Sequence, residues 1–385
     1  MKTGIKKIAI SLLMIFGSSS LFAQFTMDAQ LRPRTEVRTG SKDALSVKNQ
    51  KEVINTSQRT RLNLNYKASD YSVKVSLQDV RNWGSASTLS NGTDNNFDIH
   101  EAWVEIMLTD NFSMKGGRQE LVYDDHRIMG NVGWAQQARS HDLGIIEYNG
   151  LFNAHLGLAY NSNNEVVGSY EKMNYLWISK DLNTIKTSIL GLEKDKLITF
   201  GGRLSTTVKD IALNLNYYSQ NNGGDLNGTL LGLAGNYNLT TNLNIGLGYE
   251  QISGADSENL AFSPVFGTNH KFNGHMDYFY VGNHANSVGL NDMYFSLGYS
   301  LKKAKLNAVY HLFSADTEMD NNLDGNLGNE IDMSLSYAFN EDIKFSFGHS
   351  IYNATESMIN LKGGEIEGVN NWTYFIISVN PKLIK

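Results

Sequence analysis

Along most of the chain, hydrophobic and polar residues alternate with a period of two, the pattern of β-strands whose two faces meet different surroundings. From Met27 the positions Ala29, Leu31, Thr35 and Val37 form one face, with Asp28, Gln30, Arg32, Arg34, Glu36 and Arg38 between them. Leu62, Leu64 and Tyr66 likewise alternate with Arg61, Asn63, Asn65 and Lys67, and Ile331, Met333, Leu335 and Tyr337 with Asp332, Ser334 and Ser336. A soluble sandwich would alternate too, so the connections must discriminate.

The spacing predicts strands over 25–39, 57–68, 71–80, 98–109, 112–120, 142–149, 152–161, 172–181, 184–193, 197–207, 211–220, 228–238, 243–252, 291–301, 304–314, 328–338, 342–352 and 371–379. Tight turns are read at Ser69-Asp70, Asp110-Asn111, Gly150-Leu151, Leu182-Asn183, Lys302-Lys303 and Asn340-Glu341. They alternate with long connections at 40–56, 81–97, 121–141, 162–171, 253–290, 315–327 and 353–370. Short turns at one end and long loops at the other predict an all-β protein. The expected architecture is a transmembrane antiparallel β-barrel of about 18 strands, with 16 as the alternative, short periplasmic turns and long extracellular loops. A barrel that wide is not filled by its own wall side chains and encloses water. Tyr66, Tyr71, Tyr160, Tyr217, Tyr249, Tyr310, Tyr337 and Tyr352 lie near strand ends and are read as two aromatic girdles.

The N-terminus agrees with export. Lys2, Lys6 and Lys7 precede an apolar run from Ile8 to Phe16, and Ala23 supplies a small residue for cleavage, so 1–23 is read as a signal peptide and 24–385 as one barrel domain. No later stretch is apolar and long enough for a membrane helix. The absence of cysteine excludes disulfides and thiolate metal sites. The composition of 35 Gly, 19 Tyr, 17 Phe and only 3 Pro suits strands and tight turns. A net charge of -6 says little at this length.

Candidate chemistry starts on the polar face of the first two strands, where Arg32, Arg34, Arg38, Arg59, Arg61 and Lys67 are brought side by side. A ladder of guanidiniums in a lumen is a path for anions. The alternative is a neutral network in which Glu36, Glu101 and Glu105 balance it. The most distinctive stretch runs from Gly117 to Asp142, with Gly117-Arg118-Gln119, Asp124-Asp125, Arg127, Trp134, Arg139 and Asp142. On these residues the chain resembles the bacterial alginate export family, in which a strand ending Gly-Arg-Gln leads through an acidic, arginine-bearing loop to a Trp, an Arg and an aromatic-Asp pair. His141 stands where the family more often has Phe. The segment FGTNHKFNGHMDYF from Phe266 to Phe279 is a second stretch of similarity. The resemblance implies an eighteen-stranded barrel and passage of an anionic uronate polymer through an arginine-lined constriction. The expected pore-lining and anion-binding set is Arg32, Arg34, Arg59, Arg61, Arg118, Asp124, Asp125, Arg127, Arg139 and Asp142, with 253–290 as the loop folded into the pore.

Asp124, Asp125, His126 and His141 could serve as acid and base groups, yet neighbours such as Arg127 and Arg139 offer countercharges, and none of the familiar nucleophile, zinc or phosphate-loop motifs appears. Asp320, Asn322 and Asp324 before Gly325 suggest calcium, but their flanks read as strands, so the stretch is read as a solvated loop. Histidines 155, 270, 275, 284, 311 and 349 lack ligand spacing and are read as facing water or the lumen. The expected function is an outer-membrane channel of a Gram-negative cell for anionic or small polar solutes, uronate oligosaccharides among them. Its expected partners are outer-membrane lipid and the barrel assembly machinery, with no cofactor, metal or nucleic acid. The rivals are a general porin, a barrel enzyme acting on lipid or glycan, and a structural or adhesive barrel.

Overall fold

The computed structural model describes residues 24–89, 97–161, 170–281, 288–319 and 323–385. Residues 1–23, where a signal peptide is expected, and His284, Asp320 and Asn322 lie outside the described residues. The alternating segments form β1 (Gln24–Arg38), β2 (Val53–Lys67), β3 (Tyr71–Asn82), β4 (Phe97–Met107), β5 (Phe112–Gln119) and β6 (His141–Asn149). They continue as β7 (Asn153–Tyr160), β8 (Lys172–Leu182), β9 (Ile185–Lys194), β10 (Leu197–Val208), β11 (Ile211–Asn221), β12 (Gly228–Asn238) and β13 (Leu243–Ile252). The last are β14 (Leu290–Ser300), β15 (Ala304–Ser314), β16 (Asn326–Ala338), β17 (Ile343–Asn353), β18 (Asn370–Val379) and a short β19 (Lys382–Ile384).

Each strand from β1 to β18 pairs antiparallel with its chain neighbours, and β18 returns to β1 through Leu31↔Val379 to Arg38↔Trp372. This closed barrel of eighteen strands has no free sheet edge, which matters where no water can satisfy backbone groups. β19 extends the seam, pairing Met27 and Asp28 of β1 with Ile384 and Lys382.

Because successive side chains point to opposite faces, one phase of every strand faces outward. Leu204 of β10, Leu213 of β11, Leu233 of β12, Leu247 of β13 and Phe295 of β14 are all exposed there. An exposed apolar belt of this extent is the outer face of a membrane barrel. Tyr66, Tyr71, Tyr160, Tyr217, Tyr249, Tyr310 and Tyr337 share this phase, as a girdle requires. Tyr352 does not: it falls on the inward phase of β17, is 2% exposed and donates its hydroxyl to the Leu327 carbonyl. His349, one phase out from Tyr352, points outward against Thr373.

Two long connections fold inward instead of standing above the rim. In 120–140, Leu121, Ile128 and Met129 are buried, and in 253–281 so are Phe262, Phe266, Met276, Tyr278 and Phe279. Their apolar side chains pack against inward residues of the wall such as Leu230, Leu290 and Phe313. The two segments also pair with each other in parallel at Met129↔Phe266. Gly130 N donates to Phe266 O at 2.8 Å and Phe266 N to Ile128 O at 3.1 Å, which satisfies backbone groups inside the barrel. A helix, α1 (Glu356–Lys362), lies in the connection before β18 and is capped by the Thr355 side chain on Met358 N.

Candidate functional site: the constricted lumen

The inward phase of β1 and β2 forms a basic arc. Arg59 is 4% exposed and Arg34 9%. Two of its arginines have carboxylate partners: Arg34 with Glu36 at 2.9 Å and Arg61 with Glu120 at 3.4 Å. Arg32 and Arg59 have none among the described residues. They bind backbone carbonyls of the inward segment 133–136 instead. Arg32 donates to Gly133 O at 2.8 Å, Trp134 O at 2.9 Å and Ala135 O at 3.1 Å. Arg34 also reaches Trp134 O at 2.9 Å, and Arg59 reaches Gln136 O at 3.3 Å. Arg38 donates to the Met276 carbonyl of the other inward segment. The ladder is present, but its donors hold a loop.

Of the remaining residues anticipated in the pore, Arg127 is fully buried and bidentate on Glu250 of β13, at 2.9 and 2.6 Å. Asp125 accepts from Arg203 of β10 at 2.5 Å and from Asn216 at 2.7 Å. Asp124 accepts from the Trp177 indole at 3.3 Å, and its burial raises its carboxyl pKa. Arg139 donates to Gly130 O and Gly267 O, and burial brings its pKa down to about 10. Arg118 and Asp142 depart from the pore-lining expectation. They pair with each other at 2.8 Å on the outward phase of β5 and β6, because their neighbours Gln119 and His141 are the buried, inward ones.

Alternation in the strands carrying the arginines does not reveal a second, acidic arc: Glu250, Asp292, Glu330 and Asp332 on β13, β14 and β16. These carboxylates receive the second inward segment. Met276 N donates to Glu330 at 2.7 Å, His275 N to Asp332 at 3.1 Å, and Asn273 to Glu250 at 2.9 Å. His311 of β15 contacts Asp292 at 2.9 Å. The available signal was the inward phase itself, since Glu330 and Asp332 stand two apart on one strand.

A bulge at His100 of β4, where Ser76 pairs with Glu101 and Leu77 with Ile99, lets His100 and Glu101 both turn inward. With Glu120 they bring potential metal ligands within 4.8 Å of one another. Those atoms already serve other contacts: Glu120 accepts from His100 at 2.6 Å and Asn131 at 2.7 Å, and Lys74 pairs with Glu101. Burial opposes the Glu120 charge, but His100, Asn131 and Arg61 outweigh it and bring its pKa down to about 2. Asp324, from the stretch that suggested calcium, accepts from Asn326 N and the Ser357 hydroxyl.

Two cavities lie between the inward segments and the wall. One, of about 410 Å³, is lined by Arg34, Arg38, Trp134, Arg139, Asp277 and Trp372 among others. The other, of about 430 Å³, meets Arg203, Asn214, Asn236, Lys271, Asp292 and Tyr294. In the first, the Trp134 ring stacks on His270 at 4.6 Å and lies under the Arg34 guanidinium at 4.9 Å.

The alginate export family matches residues 23–148, which hold β1 to β6, the basic arc and the first inward segment. Among solved structures, OccAB4 of Acinetobacter baumannii superposes with a TM-score of 0.67 at 14% identity, over 94% of this chain and 98% of that one. OccK8 (OprE) of Pseudomonas aeruginosa does so with a TM-score of 0.67 at 13% identity, over 94% and 99%. The outer membrane protein OprD of Pseudomonas aeruginosa gives 0.65 at 13%, over 94% of both chains. At these identities the likeness is one of fold, and the fold is that of outer-membrane porins. No curated protein matches the chain.

Proposed function

We propose that the protein is an outer-membrane channel for small anionic or polar solutes, with organic carboxylates, uronates included, favoured by its basic arc. The observation that carries this reading is a pair of inward cations, Arg59 buried and Arg32 half-buried, with no carboxylate in ion-pair contact among the described residues, beside Arg34 and Arg61. A buried charge is costly unless something compensates it, and a guanidinium fork suits a carboxylate. The cavity holding Trp134, Arg34 and Arg38 supports a ligand that combines a ring with an acid.

The start of β1, the end of β18 and all the short turns but 195–196 share one barrel end, which supports a periplasmic position for them and an extracellular one for the long loops. The N-terminal pattern supports removal of 1–23 before insertion by the barrel assembly machinery. The acidic arc of Glu250, Asp292, Glu330 and Asp332 favours a second reading, a general porin with little charge preference. Reversal potentials across a salt gradient in planar bilayers separate the two. Anion-selective current that weakens in R32Q/R59Q supports the first reading, and unselective current that the substitutions leave unchanged supports the second.

A further inference from the structure

Five successive carbonyls, those of Gly133, Trp134, Ala135, Gln136 and Gln137, turn to the barrel wall and are held by Arg32, Arg34, Arg59 and, at Gln137, by Gln78 at 3.0 Å. Neutral carbonyls occupy the donors that a carboxylate would use, and a hydrogen bond to an ionised acceptor is roughly twice as strong. Of residues 133–137 only Gln136 is buried, so besides these bonds the segment is seated chiefly by the half-buried Trp134 ring, which packs on His270, Trp372 and Tyr374 and must leave them when the segment moves. It is bracketed by Val132 with φ 49° and Ala138 with φ 56°, left-handed conformations that cost a β-branched residue most. The preceding stretch, with Leu121, Ile128 and Met129 buried, is firmly packed by contrast.

We propose that residues 133–137 form a displaceable strap that masks the arginine site, and that an organic carboxylate opens the channel by taking Arg32, Arg34 and Arg59 from it. The inference rests on the channel reading above. A ligand shifts such an equilibrium only by its differential affinity, and here the seated strap leaves it few free guanidinium donors while the released strap offers three forks. Val132 and Ala138 are the hinges.

The chain has no cysteine, so S57C/Q136C introduces a single pair, at a place where the Gln136 amide now donates to the Ser57 hydroxyl at 3.1 Å. In planar bilayers with D-glucuronate as the probe, the reduced pair is expected to open as glucuronate is added, and the oxidised pair to lose that response until reductant restores it. V132N tests the hinge without a cross-link. Asn tolerates the left-handed backbone, so the strap seats more firmly and the glucuronate concentration for half-opening rises on the order of five-fold. An oxidised pair that responds like the reduced one, or no shift in V132N, overturns the strap while anion selectivity stands. Loss of anion selectivity in the wild type and the reduced pair overturns the channel reading itself.

Discussion

Arg127 has no exposed surface, and its guanidinium makes four hydrogen bonds inside the barrel: two to Glu250, one to Asn269 at 3.2 Å and one to Asn273 at 3.0 Å. It also lies over the Phe272 ring at 4.5 Å. One side chain of the first inward segment therefore ties the second segment to β13. R127M keeps the bulk but strands Glu250 as a buried charge, a loss of about 3–5 kcal/mol. The guanidinium chloride midpoint should fall accordingly. R127K should recover only part of the loss, because an ammonium cannot make the fork. A Met variant as stable as the wild type would show that the pair is dispensable. Gly117 explains part of the Gly-Arg-Gln signature: its φ is 125°, and a Cβ there would sit 2.2 Å from the Ala102 carbonyl. The following Arg118, by contrast, turns outward to Asp142, a placement the motif alone does not disclose.

At the scale of elements, Glu120 anchors the start of the first inward segment to the wall through His100 and Arg61. Its pKa is depressed from 4.5 to about 2, so its contribution is complete above about pH 4.5 and fades as the pH falls through 2. Acidification across that window should loosen residues 120–140, seen as faster amide hydrogen exchange there than in the barrel strands, and E120Q should abolish the pH dependence of that difference. Unchanged exchange in the wild type down to pH 2 would count against the anchor. Among the described residues, all eighteen wall strands were legible as period-two runs bounded by turns, because each must present one oily and one wet face. The inward loops were only half legible. The 253–290 connection stood out by length and 117–142 by its motif, whereas the way segment 133–137 lies along the wall did not show. Its seat depends on carbonyls meeting Arg32 and Arg59, and backbone acceptors carry no sequence signal. The acidic arc went unread because its members are spread one or two to a strand over β13, β14 and β16, and α1 because seven residues within a long connection show too little helical period to be told from loop.

At the scale of the whole molecule, barrel closure depends on a seam made in two parts. β18 ends at Val379, opposite Leu31, so the first residues of β1 would have β2 as their only neighbour beyond that point. β19 fills this gap: Met27 pairs with Ile384, Asp28 with Lys382, and Ala29 N donates to Pro381 O at 3.1 Å. Pro381 accepts there without needing the N–H it lacks. A barrel tolerates no open edge, and each ladder hydrogen bond contributes about 1 kcal/mol, so deleting residues 381–385 should cost about 2–3 kcal/mol at the seam. In detergent, the deletion variant should convert from the compact to the unfolded gel form at a lower temperature than the full chain. Restoring 381–385 with Lys382 and Ile384 both changed to Ala should recover most of the difference, since the ladder is made by backbone. If the deletion converts at the wild-type temperature, closure rests on β18 alone and β19 is an ornament of the rim.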